Sequence, residues 1–439
     1  MGCARPAGPG FSPLDEELEL EPGSLTPSLT EDLVLLGSWM PFAAAGKLLA
    51  HFRKVEVSAA TVRRATERCG EAYVELQREQ VEEIEGELPS APQGPEVQQL
   101  SVDGAMVPLV HQEWAEVKTL AIGAIGEPVL EKGQPVVHAR EMSYFSRLAE
   151  HQSFARWATV ETHRRGTESA GTVCAVVDGA EWQQKFIDLH RPDAVRILDW
   201  CHGAEYLAKA GQAAFGSGTP EASEWLGAQL HQLRHGDPQQ VLDQLGELSL
   251  GLEAASGAST EALKIVKGSL EYLEKRRDQI RYAEFQALGY PIGSGAVESA
   301  NKLVVEARLK GSGMHWARDN VNPMVALRNI VCSDRWEETW PQICQRIRER
   351  AKERTAARRT GPSPEQPKAE PPTSSGTDAG LALKGSKTLK SDDSSNPLDP
   401  VHNKPTQGRR LPAADHPWRR MVVGRKGSTR PDQLASAKS

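Results

Sequence analysis

Apolar residues recur at helical spacing from Thr30 to about Leu88, and two helices stand out within that stretch. Phe42 to Phe52 makes one and Lys54 to Val57 a short connection. Ser58 to Cys69 makes the second, with Ser58 as its N-cap and Gly70 as its expected stop. Residues 89–97 carry Pro89, Pro92 and Pro95 and read as a linker. Beyond it the period changes. Gln99–Leu109 and Glu113–Ile122 alternate or run apolar at strand length, and Pro135–Met142 is a weaker third strand. Phe145 to about Arg165 predicts a helix. Thr172–Val177 is apolar almost throughout, as expected of a strand buried on both faces. Glu181–His190 predicts another helix and Ala194–Leu198 another buried strand.

Three strands, helix, strand, helix, strand is the order of a ribonuclease-H-like (RNase H-like) core. Gly203 to about Gly289 holds only helical segments, among them Gln240–Leu252 and Thr260–Tyr282, so an all-helical insertion interrupts that core. After Pro291 come a Gly-Ser-Gly turn and one more helix. The expected fold is therefore α/β, an RNase H-like mixed-sheet core preceded by a helix-turn-helix domain. The expected segments are a flexible arm (1–28), the helix-turn-helix domain (29–88), the first part of the core (98–202), the insertion (203–289), the last part of the core with a basic helix (290–359), and a disordered tail (360–439). The tail is rich in Pro, Ser, Gly and Lys and poor in large apolar residues.

Composition narrows the function classes. A chain of 439 residues with 39% apolar and 25% charged side chains can bury a real core. The longest apolar run, around Leu33 to Gly46, is too short to span a bilayer, and no secretory signal precedes it. Six cysteines without paired metal-ligand spacing fit a reducing compartment, so a cytoplasmic location is expected and a zinc ribbon is not. The formal charge of -7 leaves any nucleic-acid binding to local patches. Arg63, Arg64 and Arg68 would project from the second helix of the helix-turn-helix while Val62 and Ala65 pack inward. Amphipathic helices with a basic face also occur in proteins that never touch DNA. Arg346, Arg348, Arg350, Lys352, Arg354, Arg358 and Arg359 form a basic segment further on, and His416 to Arg420 a basic patch in the tail.

Three carboxylates could carry chemistry. Asp103 lies in the first strand, Asp178 ends the buried strand 172–177, and Glu298 stands in the first turn of the helix after Gly293-Ser294-Gly295. Strands hold a carboxylate rigidly, and a helix packed on the sheet can bring a third to the same point. Converging carboxylates make an oxygen-only site that favours Mg²⁺ or Mn²⁺. Two such ions about 4 Å apart can clamp the attacking and leaving oxygens of a phosphodiester, with no side-chain nucleophile. Taken singly, each residue has a plainer reading. Asp before Gly at a strand end forms turns, and Glu in a first helical turn complements the macrodipole.

From Leu18 to Asp334 the chain resembles the ISKra-type bacterial insertion-sequence transposases, relatives of the Mutator-like superfamily. The resemblance rests on Ser101-Val102-Asp103-Gly104, Val176 to Trp182, Leu198-Asp199-Trp200-Cys201-His202, and Tyr290 to Ser299. It continues through Asn301-Lys302, Arg308 to Gly311 and Gly313 to Trp316. It implies a DDE triad of Asp103, Asp178 and Glu298 holding two Mg²⁺ or Mn²⁺ ions. The activity implied is cleavage of element ends and strand transfer to target DNA. Double-stranded DNA, as terminal repeats and target, would be the partner, with a homo-oligomer assembled on it. Asp199 and His202 match the family's Asp/Cys-x-x-His signature. Asp199 also follows an apolar strand, so it competes with Asp178 for the place of second ligand, and Asp178 is preferred. Lys302, Arg308 and Lys310 would hold backbone phosphates. Trp316 would either stack on an unpaired base or be simple core. A glycoside hydrolase would leave the helix-turn-helix unexplained. The competing reading is a defective or domesticated copy that binds DNA without cutting it.

Overall fold

Val97–Pro108, twelve residues with a nearly unbroken buried stretch from Gln98 to Val102, forms the central strand β1. The computed structural model describes residues 25–131, 134–255 and 259–360. The first part of the expected arm, the tail from residue 361 and its 416–420 patch lie outside them. β1 turns at Val110–Gln112 into antiparallel β2 (Trp114–Ile125). A small hairpin follows, β3 (Val129–Glu131) with β4 (Gln134–Val136), then β5 (Ala139–Leu148), antiparallel to β2. Helix α4 (His151–Arg164) leads to β6 (Thr172–Val177), α5 (Glu181–His190) and β7 (Val195–Leu198). The five-stranded sheet has the order β5-β2-β1-β6-β7, with β6 parallel to β1 and β7 parallel to β6. This mixed sheet, covered by helices, is α/β.

The third strand differs from expectation. Residues 145–148 belong to β5, not to the following helix, and Pro135 lies in the small hairpin. The strand residues 143–147 are buried without alternation, which removes the period-two signal. Its outer edge is sealed by side chains instead of another strand. The backbone N–H groups of Tyr144, Ser146 and Leu148 donate to Ser333 Oγ, Asn329 Oδ1 and Asn322 Oδ1 at 3.0, 2.9 and 2.8 Å. Asn329 and Asn322 return hydrogen bonds to the carbonyls of Ser146 and Leu148. An edge that would otherwise template pairing with another chain is thereby closed.

Before the sheet come α1 (Pro27–Trp39), α2 (Phe42–Arg53) and α3 (Ala59–Glu87). Ser58 caps α3 as expected, its Oγ accepting from Thr61 N at 3.1 Å. Gly70 does not end the helix: α3 runs on through it for 29 residues in all. A side chain there would strike Pro323, whose carbonyl oxygen lies 2.2 Å from the position of a Cβ, so the glycine serves a helix crossing. Segment 29–88 is not packed as a separate domain. Leu33, Leu49, Val62 and Tyr73 share one core with Ala326, Leu327, Ile330 and Trp340 of α12 (Arg318–Cys332) and α13 (Trp336–Thr360).

The insertion supplies α6 (Trp200–Phe215), α7 (Pro220–His235), α8 (Pro238–Ala254), α9 (Thr260–Glu274) and α10 (Tyr282–Ala287). Leu207, Leu233, Leu245 and Val266 pack with Val176 and Ile197 of the sheet. Where one helix was expected after Pro291, the chain makes α11 (Gly295–Ala300), a π-helical stretch Asn301–Glu306 and a closing turn Ala307–Leu309 before α12. Among the described residues no helix is long and apolar enough to cross a membrane.

The basic segment of α13 is partly neutralised at home. Arg346 and Arg350 pair with Glu79 and Glu75 of α3, which fastens the two helices together.

His190 ends α5 half-buried, its ring against Phe186. Its Nε2 donates to the Ala155 carbonyl at 2.9 Å and its Nδ1 lies 3.1 Å from Thr162 Oγ1. Burial lowers its pKa from 6.5 to about 4, with the Ala155 bond opposing. Unfolded, the ring takes up a proton below about 6.5; folded, only below about 4. Between these values the unfolded chain binds more protons, so stability falls as pH falls, by about 3 kcal/mol across the window. Thermal melts from pH 7 to pH 4 should therefore fall less steeply for His190→Gln than for wild type. Equal slopes would contradict the assignment.

Candidate functional site

The parallel register sets the site. Pairs from Val97↔Thr172 to Leu100↔Ala175 join each residue of β1 to one 75 positions later. Asp103 and Asp178 are separated by the same 75 positions, so continuing that register sets Asp103, midway along β1, level with Asp178, the first residue after β6. From Cys174↔Val195 to Val177↔Leu198 the offset is 21, which sets Asp199 level with Asp178 on the far side. Neighbouring strands lie about 4.8 Å apart, so Asp199 is two strands, roughly 10 Å, from Asp103. Asp178 is the one adjacent to Asp103.

Asp103, Asp178, Asp199 and Glu298 line one cleft of about 170 Å³, together with Gln183, Cys201, His202 and Glu205. A larger cleft of about 360 Å³ between α3 and α12 holds charges of both signs, Arg78, Arg318, Glu71 and Glu75, and none of the expected acids. The smaller one is where titratable groups of one sign converge. Burial, and then the carboxylates of Asp178, Glu116 and Glu298, push the Asp103 pKa up; the Gly104 N–H opposes them.

Each acid has a different local setting. Asp178 Oδ1 accepts from Ala180 N at 3.1 Å, and Gly179 beside it takes a φ of +83°. Tyr272 Oη donates to the Asp178 carbonyl at 2.5 Å and Arg276 Nη2 to the Gly179 carbonyl at 2.6 Å. Tyr272 of α9 and Arg276 just after it thus grip the loop that carries Asp178. Glu298 is the loosest, its side chain 56% exposed and 3.6 Å from Lys302 Nζ. Asp199 is 6% exposed and fully engaged, accepting from Ser294 N at 2.6 Å and from His202 N at 2.9 Å. It caps α6 and anchors the turn before α11, which is a structural task.

His202 lies at the cleft in an aromatic group with Tyr206 and Tyr272, ring centroids 5.4 and 5.8 Å away. Burial and the nearby Asp199 and Glu298 push the Cys201 thiol up, away from the thiolate a nucleophile would need.

Two expected DNA contacts are interior. Arg308 is 2% exposed, donates to the Gly37 carbonyl at 3.0 Å and stacks over Phe42 and Trp316. Trp316 is core, with Nε1 bonded to the Leu309 carbonyl at 3.1 Å. After the π-helical stretch these positions face inward. Lys302 and Lys310 are exposed, paired with Glu298 and Glu306. Arg63 and Arg64 are exposed on α3, and Arg68 is half-buried. Tyr272, Arg276 and Gln183 were not expected at the site. Nothing local to the first two marks them, since the loop they grip lies more than ninety residues away.

A divalent cation suits the donor set: carboxylate oxygens crowd together with no cationic side chain buried among them. Among the described residues no three His, Cys, Asp or Glu side chains are placed to hold a metal ion as they stand. The sequence matches no protein-family model and has no significant match among curated proteins.

The settings of the two competing aspartates predict different stabilities. Asp199→Asn turns one of two acceptors into a donor facing a backbone N–H and should cost about 1–3 kcal/mol. Asp103→Asn keeps the bond from the Asn301 amide and relieves like-charge crowding, which offsets what is lost at the Gly104 N–H, so it should lower the melting temperature less than Asp199→Asn does. The reverse order in thermal melts would overturn these assignments.

Proposed function

We propose that the chain is a DDE-type DNA transposase that cleaves the ends of a mobile element and joins them to target DNA. The observation that carries the reading is the shared offset of strand register and aspartate spacing. It sets Asp103 beside Asp178, under the helix bearing Glu298. The sheet order supports it: an antiparallel meander of β1, β2 and β5, extended on the other side by parallel β6 and β7, is the arrangement of an RNase H-like core.

Asp103, Asp178 and Glu298 would hold Mg²⁺ or Mn²⁺. Bound divalent cations supply stabilisation of the charge that develops on a phosphodiester during in-line displacement. The chain's own groups do the positioning. The two strands fix Asp103 and Asp178, and the Tyr272 and Arg276 grip holds the second of them. Glu298, on an exposed helical turn, can close on the site when substrate arrives. Carboxylate-held cations need no side-chain nucleophile, so the reading expects water, and then a DNA 3′-hydroxyl, to attack phosphorus without a covalent protein adduct. Double-stranded DNA is the proposed partner, contacted by Arg63 and Arg64 at the start of α3 and by Lys302 and Lys310 near the cleft. A helix-turn-helix role for α2 and α3 and assembly as a homo-oligomer on DNA belong to the same reading.

The test is cleavage of DNA carrying the inverted repeats that flank the coding sequence, with and without Mg²⁺. Asp103→Asn, Asp178→Asn and Glu298→Gln should each cut strand cleavage by 10³-fold or more, on the order of 4 kcal/mol of transition-state stabilisation, with end binding retained. Metal-dependent cleavage by the Asp178→Asn variant at the wild-type rate would overturn the triad.

A further inference from the structure

We infer that Asn301 is a positioning residue for Asp103, fixing the first carboxylate of the cleft for a divalent cation. The inference rests on the cation-binding reading above. Asn301 follows Glu298 by three residues, so the two are neighbours along the helix surface, Asn301 buried against the sheet and Glu298 at its exposed margin. Its Nδ2 donates to Asp103 Oδ2 at 2.9 Å. One hydrogen bond therefore ties the helix that carries Glu298 to the strand that carries Asp103.

What marks Asn301 as more than packing is its other atom. The residue is only 6% exposed, and its Oδ1 is buried with no hydrogen-bond partner among the described residues. The amide cannot flip to relieve this, because Oδ1 would then face the Asp103 carboxylate, acceptor against acceptor. A buried acceptor left unmet costs about 1–3 kcal/mol. An apolar side chain would fill the same space without that cost, as Val297, Ala300, Val304 and Val305 do around it. An asparagine there is a net expense to the fold unless its bond to Asp103 is needed.

The backbone points the same way. Asn301 opens the π-helical stretch, and such wide turns cluster at functional sites because they re-aim a helix face. Here Glu298 lines the cleft and Asn301 lies behind it on Asp103, while Arg308 and Leu309 enter the core. The Asn301 bond holds Asp103 through Oδ2. Partners that orient a ligand in this way typically govern metal affinity by 10- to 100-fold.

The test is Mn²⁺ binding to the full-length chain without DNA, read by electron paramagnetic resonance, beside a thermal melt. Wild type should bind Mn²⁺ and Asp103→Asn should lose it. Asn301→Ala should bind about 10- to 100-fold more weakly. Asn301→Leu, which refills the space, should weaken binding as much while melting no lower than wild type. Val266→Ala, in the core of the insertion, serves as a control for general destabilisation. Wild-type Mn²⁺ affinity in both Asn301 variants overturns the positioning role, as does an equal loss in Val266→Ala. Failure of the cation reading looks different: wild type itself would not bind Mn²⁺, and the inference would fall with it.

Discussion

The parallel pairing of β1 with β6 is the constraint on which the site depends. Side chains alternate with period two along a strand, so a slip of one residue would turn Asp178 to the opposite face from Asp103. The register is held because both faces of these strands are buried. Leu100, Val102, Val173 and Val177 pack under α4 and α5, while Ala105 and Val107 face α11 and α12. Hydrophobic burial on two faces thus fixes the spacing of two charges, one within β1 and one just past the end of β6. β7 extends the row to Asp199, but the fold commits that side chain to backbone N–H groups.

Setting acids side by side costs stability, and the surrounding structure is arranged to bear it. Asp103 is half-buried among Asp178, Glu116 and Glu298 and keeps hydrogen bonds from Gly104 and Asn301. The Asp178 loop is gripped from outside by Tyr272 and Arg276. Arg276 lies 3.6 Å from the Tyr272 ring centre, and Tyr272 stacks on Tyr206 at 3.8 Å. A side chain at residue 179 would meet Arg276 Nε at 2.4 Å, so the approach is available only to glycine. The insertion, which interrupts the core in sequence, therefore reaches back to the chemistry in space.

Much of this was legible in the sequence where a signal was local. The apolar runs at 172–177 and 194–198 and the cap at Ser58 all stand where periodicity and capping chemistry put them. Asp103, Asp178 and Glu298 line one cleft. What escaped was non-local. β5 is buried on both faces, so it carried no alternation, and its edge is closed by Asn322, Asn329 and Ser333, nearly two hundred residues away. Gly70 looked like a helix stop because its real cause, the crossing with Pro323, lies in another helix. Arg308 looked like a surface group because a regular helix was assumed where the backbone widens at Asn301, and Trp316 takes the core place that was one of its two readings.

Locating the ion itself tests the central claim most directly. Crystals of the chain soaked in Mn²⁺ and measured at the manganese absorption edge would show where it binds through its anomalous signal. The account predicts a peak about 2.2 Å from carboxylate oxygens of both Asp103 and Asp178. A peak on Asp199 instead, or none in the cleft, would contradict it.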